Sequence, residues 1–132
     1  VASENAKMGL PEVFLNLVPG GGGTQRLIQR IGINRVKEML FSGKQYTAST
    51  LFDWGIVNHV YKEEIFKDEV IRFAGKLTRR SPNAIKKLKQ LAQLSLLPLS
   101  FDQKIEEEGK VVTELFYGDE AKKAIQNFID KS

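Results

Sequence analysis

The sequence predicts a mainly helical chain with a minor β part. Three observations predict it. From Glu63 onward, apolar residues recur at helical spacing with caps between the segments. Before that, alternation of apolar and polar residues is confined to short stretches near the start of the chain and over residues 56–61. Between those stretches lie three short apolar-periodic segments, each stopped by a glycine. The organisation is therefore in two parts, 1–62 as the end of an α/β layer and 63–132 as a purely helical region.

Residues 1–16 read as extended chain. Ala6, Met8 and Leu10 alternate with Lys7 and Gly9, and Pro11 demotes any continuing strand to an edge or loop. The first helix runs from about Gly22 to Ile31, with Leu27, Ile28 and Ile31 on one face, and ends at Gly32. The second takes Asn34 to Phe41, with Val36, Met39 and Leu40 inward and Gly43 as its stop. The third begins after Thr47 as N-cap and ends at Trp54-Gly55. Ile56 to Tyr61 alternates as a short strand, with His59 on its polar phase as a surface imidazole.

In the helical region Val70, Phe73, Ala74 and Leu77 share one face. Ser81-Pro82 restarts the helix, Ser as cap and Pro at the first helical position. Ile85, Leu88, Leu91 and Ala92 follow, and the arc widens at Leu94, Leu96, Leu97 and Leu99 until Pro98 breaks it. Ser100 and Gln103 have the spacing of a capping box. The helix they open carries Ile105, Val112, Leu115 and Phe116. After Gly118-Asp119, a last helix carries Ala121, Ala124, Ile125, Phe128 and Ile129.

Composition narrows the function classes. The 132 residues amount to one domain, and 42% hydrophobic content suits a folded core. With no cysteine, disulfides and thiolate metal sites are excluded, and the single His59 builds no metal site alone. No apolar run reaches membrane-spanning length. The net charge is +4. Its densest cluster, Arg79, Arg80, Lys86, Lys87 and Lys89, has no interleaved aromatic for base stacking and reads as solvated helix faces.

The stretch with chemical content is Gly9 to Leu27. Glu12 stands behind a proline, an apolar run follows, and Pro19 then leads into four consecutive glycines that open a helix. Glycines allow close backbone approach because no Cβ intervenes. The helix directs free N–H groups toward the same turn. A carboxylate beside an apolar, glycine-lined pocket is a candidate general acid or base. Two rival readings exist. A phosphate-binding loop lacks its Lys-Ser/Thr, since Thr24-Gln25 follows instead. A non-catalytic oligomerisation module rests on the broad apolar arc near Leu94 to Leu99.

Pro-Glu-Val, an apolar run and Pro-Gly-x-Gly-Gly-Thr-Gln-Arg-Leu together resemble the signature of the crotonase (enoyl-CoA hydratase/isomerase) superfamily. The likeness extends through Ser42-Gly43-Lys44, Thr47-Ala48, Trp54-Gly55-Ile56-Val57-Asn58-His59-Val60 and Ser81-Pro82. Met8 stands where an aromatic is common, Asn16 where glycine is usual, and Lys123-Ala124 replaces a common Glu-Gly.

The resemblance implies the C-terminal half only of such a protein: the end of a ClpP/crotonase spiral core, then a helical trimerisation region. It implies Glu12 as one of two catalytic carboxylates, with Gly20 and Gly21 at the substrate. Phe128 and Lys131 keep a Phe-x-x-Lys spacing that in family members reaches the CoA of a neighbouring subunit. The implied reaction adds water to, or shifts, a C=C bond of an enoyl-CoA thioester. Acyl-CoA is then substrate, with no resident cofactor or metal, and the protein a homo-oligomer that binds neither nucleic acid nor membrane. The oxyanion donors and second glutamate fall outside this chain, so the chain alone is expected to be inactive. The expected compartment is the cytoplasm or the mitochondrial matrix.

Overall fold

The computed structural model describes residues 1–130. Strands β1 (Ala2–Ser3) and β2 (Lys7–Gly9) lead into a 3₁₀ turn, Pro11–Leu15. Helices α1 (Gly23–Ile31) and α2 (Ile33–Ser42) follow, then β3 (Gln45–Thr47), α3 (Ala48–Asp53) and β4 (Val60–Tyr61). After a second 3₁₀ turn at Glu63–Ile65 the chain is helical: α4 (Phe66–Thr78), α5 (Pro82–Leu94), α6 (Phe101–Phe116) and α7 (Asp119–Ile129). The backbone groups into two compact units, Val1–Phe73 and Ala74–Ser132.

In the first unit the chain start is stitched to two distant segments. β1 pairs in parallel with β4, Ala2 opposite Val60 and Ser3 opposite Tyr61. β2 pairs antiparallel with β3, Met8 opposite Tyr46. Both pairings are two-stranded, which is marginal without further packing. The packing comes from Ile31, Val36, Met39, Ala48 and Leu51, all buried. Val36 and Met39 are one helical turn apart on α2, and Ala48 and Leu51 on α3, so two amphipathic faces close the core. Trp54 lies 4.7 Å from the Tyr46 ring, with the Arg35 guanidinium over its face at 5.7 Å. The Tyr46 hydroxyl donates to Glu38 at 3.3 Å.

In the first unit three expectations need correction. Residues 1–16 are not continuously extended, because Pro11 presets a helical φ and the chain coils through Leu15. The strand expected over 56–61 is reduced to Val60–Tyr61, since Gly55 adopts φ 76° and the N–H groups of Ile56 and Val57 both return to the Leu51 carbonyl. β3 was not foreseen, because Gln45, Tyr46 and Thr47 carry no apolar alternation; its partner strand alone makes it a strand.

In the second unit the caps form as the spacing predicts, but α5 ends at Leu94 rather than at Pro98, so Leu96, Leu97 and Leu99 lie beyond the helix and do not widen its apolar arc. Ser81 Oγ accepts from the Ala84 N–H, with Pro82 at the first helical position. Ser100 and Gln103 close a reciprocal capping box. Lys87 of the basic cluster pairs with Glu114 at 2.5 Å, joining α5 to α6. Ser81 Oγ also donates to Glu120 at 2.7 Å, joining α5 to α7. No residue of α5, α6 or α7 is fully buried. On α6, Phe101, Ile105, Val112 and Phe116 fall within an arc of about 60° at 100° per residue, and all four are exposed.

Candidate active site

Glu12 sits second in the Pro11–Leu15 turn. Pro11 occupies the first helical position, where its missing N–H costs nothing. The turn closes at Asn16, whose backbone is left-handed at φ 55° and ψ 32°. The Asn16 N–H donates to the Val13 carbonyl at 3.2 Å and the Leu17 N–H to the Glu12 carbonyl at 3.1 Å.

Three contacts pin this segment. Gly9 is paired with Gln45, and a Cβ on Gly9 would run into the Lys44 carbonyl oxygen. Phe14 and Val13 lie over Gly43 at the end of α2, where a Cβ would be 2.8 Å from the Phe14 ring and 3.0 Å from Val13 Cγ1. Leu10 meets Gly23, where a Cβ would be 3.4 Å from Leu10 Cδ2 and 3.7 Å from Pro19 Cβ. The last contact ties the chain before Glu12 to the start of α1. Glu12, Gly20 and Gly21 thus ride on one excursion of chain whose ends touch.

The Glu12 side chain is half-buried, and its Oε2 is buried with no hydrogen-bond partner among the described residues. A buried carboxylate oxygen without a donor is costly, and such groups concentrate where a ligand or reacting atom supplies the missing partner. The glycine turn differs in character along its length. A Cβ on Gly20 or Gly21 would meet nothing within 4 Å. Packing within the chain therefore does not demand glycine at these two positions, whereas Gly22, at φ 79°, is held to it by conformation. Gly22 caps α1 with no side-chain hydrogen bond, leaving the first N–H groups of the helix without a side-chain acceptor.

The surroundings of Glu12 are apolar but open. Phe14 is 69% exposed and Val18 82%, and Leu15 and Leu17 are exposed as well. Cavities of about 410 and 440 Å³ are lined by other residues, the first by Ser81, Ala84, Leu115, Gly118 and Ala121, the second by Pro82, Ile85, Lys86 and Lys89. The apolar, glycine-lined pocket expected beside Glu12 is, in this chain, an open apolar surface.

Phe128 belongs to α7 of the second unit and is 76% exposed. Lys131 lies outside the described residues. His59 is exposed, its ring 5.0 Å from Phe73 and 5.9 Å from Tyr61. Sequence reasoning missed two residues that hold the site. Gly43 seats Phe14, and Asn16 closes the turn. Asn16 stood out only as a departure from glycine; that the position needs φ > 0 was the signal within that departure.

The chain matches the family described as enoyl-CoA hydratase/isomerase over residues 1–132. It is 33% identical over 131 residues to the 2,3-dehydroadipyl-CoA hydratase of Escherichia coli, covering 99% of this chain and 51% of that protein. It is 31% identical to a short-chain-enoyl-CoA hydratase of Clostridium acetobutylicum, covering 99% and 50%. The crystal structure of an enoyl-CoA hydratase subunit I from Geobacillus kaustophilus matches with TM-score 0.90 at 34% identity, over 98% of this chain and 50% of that one. The chain thus spans about half the length of the curated relatives it matches. One expectation gives way here. A C-terminal half only, or a C-terminal portion of the fold, is not what the match describes: the family takes in the whole chain, 1–132, as crotonase-domain sequence.

Proposed function

This chain belongs to the enoyl-CoA hydratase/isomerase family, and on that premise we propose that the protein carrying it adds water to, or shifts, the C=C bond of an enoyl-CoA thioester with Glu12 as a proton-transfer group. The observation that supports this most is the buried Oε2 of Glu12, without a hydrogen-bond partner among the described residues. It stands on a pinned turn, on the same closed excursion of chain as the exposed backbone of Gly20 and Gly21. In hydration, the water oxygen bonds to Cβ, one proton leaves that water for a carboxylate, and Cα receives a proton. In isomerisation, a carboxylate takes a proton from one carbon and returns it two carbons away. Either route needs a base within hydrogen-bond reach of the moving proton, and a carboxylate held half out of water suits the task. Acyl-CoA is the substrate in both routes, and the reading assigns no resident cofactor. Phe128 and Lys131 are proposed to reach CoA.

The oxyanion donors that an enolate-like intermediate requires are assigned to the remainder of the protein. Losing one such donor typically costs about 100-fold or more in rate, so the 132-residue chain alone is proposed to be inactive. One experiment compares three samples on crotonyl-CoA and a 3-enoyl-CoA: the whole protein, its Glu12→Gln variant and the isolated chain. Glu12→Gln should lower kcat by several orders of magnitude and leave acyl-CoA affinity within about tenfold, since it removes a proton-transfer group and little contact area. The isolated chain should give no turnover. A Glu12→Gln enzyme with near wild-type kcat would sink the assignment, and robust turnover by the isolated chain would show that its site is complete.

A second reading, assembly through the helical unit, is favoured by the exposed stripe of Phe101, Ile105, Val112 and Phe116 on α6. An apolar helix face left over after intrachain packing is stabilised by a partner. The proposed partner is another copy of the chain, with a trimer as the assembly.

A further inference from the structure

We infer that Asn16 is a positioning residue for Glu12, acting through its left-handed backbone; the inference rests on the reading of Glu12 as the proton-transfer group. Asn16 is the only non-glycine residue with positive φ among the described residues. That conformation turns the chain back so that the Leu17 N–H reaches the carbonyl of Glu12 itself, at 3.1 Å, while the Asn16 N–H reaches Val13 at 3.2 Å. The far side of the turn has little else to hold it, because Leu15, Leu17 and Val18 are exposed. Within the turn itself the seating is on the near side, through Val13 and Phe14 against Gly43. The buried position of Glu12 Oε2 therefore depends on a closure that Asn16 makes.

Residue type decides how well that closure holds. The left-handed region is costly for residues with a Cβ, least so for asparagine and most for β-branched side chains. Glycine enters it freely. The backbone role thus predicts an order, Asn16 close to Gly, both better than Ala, and Val worst. A side-chain role would make Gly as damaging as Val.

The test uses the whole enzyme with Asn16→Gly, Asn16→Ala, Asn16→Val, Glu12→Gln and the double variant Glu12→Gln/Asn16→Val. Asn16→Val should lower kcat by about tenfold with KM little changed, from the usual cost of a left-handed residue. Asn16→Gly should stay near wild type. In the double variant, Asn16→Val should add nothing to the loss from Glu12→Gln, because a residue acting through Glu12 has no further effect once Glu12 is gone. Should Asn16→Val fail to fold, Asn16→Ala against Asn16→Gly carries the same comparison at smaller amplitude. Wild-type kcat in Asn16→Val beside an inactive Glu12→Gln would overturn the inference and leave the function standing. Multiplying losses in the double variant, or Asn16→Gly as slow as Asn16→Val, would also overturn it. Full turnover by Glu12→Gln would remove the reading beneath it.

Discussion

The two units of this chain are built by different rules. The first, Val1–Phe73, holds every residue with positive φ among the described ones: Asn16, Gly22, Gly32, Gly43 and Gly55. It also holds the buried core of Ile31, Val36, Met39, Ala48 and Leu51. The second, from Ala74, has no positive φ among the described residues and no fully buried residue in α5, α6 or α7. One region spends unusual backbone on tight local approaches; the other stacks amphipathic helices with good caps and keeps apolar surface outside. The proton-transfer role proposed for Glu12 needs a side chain held in place, and the first region pins its turn at Gly9, Gly23 and Gly43. An assembly surface needs apolar area that intrachain packing leaves over, which the second supplies on α6.

If that contrast is right, a cavity should hurt the first unit most. Met39→Ala removes a fully buried side chain from a core of few members. It should destabilise the first unit by about 2–5 kcal/mol, read by chemical denaturation with Trp54 fluorescence as the reporter. Trp54 packs on Tyr46 in the same unit. A loss well under 1 kcal/mol would mean that the core tolerates collapse and that the unit is held mainly by its strand pairings.

The assembly claim is tested on the other side. Replacing Phe101 and Phe116 by Asp puts two charges on the exposed α6 stripe without touching the α5 contact made by Lys87 and Glu114. Self-association in sedimentation equilibrium should weaken by at least about tenfold, each exposed aromatic being a candidate anchor. An unchanged association constant would move the interface elsewhere. A monomeric wild-type chain at micromolar concentration would remove the second reading altogether.

The smallest effect sharpens the contrast by its locality. Ser100→Ala breaks the capping box at the start of α6. The expected cost is about 1 kcal/mol, confined to the helical signal, with Trp54 fluorescence unmoved. A loss shared by both probes would show that the two units unfold as one.

By itself the sequence determined most helix starts and stops, though α5 ends at Leu94, ahead of the break expected at Pro98. Ser81 with Pro82, Ser100 with Gln103, Thr47, Gly32 and Gly43 all terminate elements where spacing and side-chain chemistry say they should. These are local rules, decided by hydrogen bonds within one turn. The motif around Glu12 was legible too, and with it the family. What only the tertiary structure decided is non-local. β3 exists because β2 pairs with it, and Ile56 and Val57 leave the strand because both their N–H groups return to the Leu51 carbonyl. The coil at Pro11–Leu15 starts from the φ that Pro11 presets, but its place is set by seating Phe14 over Gly43 and Leu10 over Gly23. So the place of Glu12 on a pinned turn, with one oxygen buried and unpartnered among the described residues, follows from contacts between residues far apart in the chain, Gly9 with Gln45 among them. Periodicity reads neighbours along the chain, and the site is made by neighbours across it.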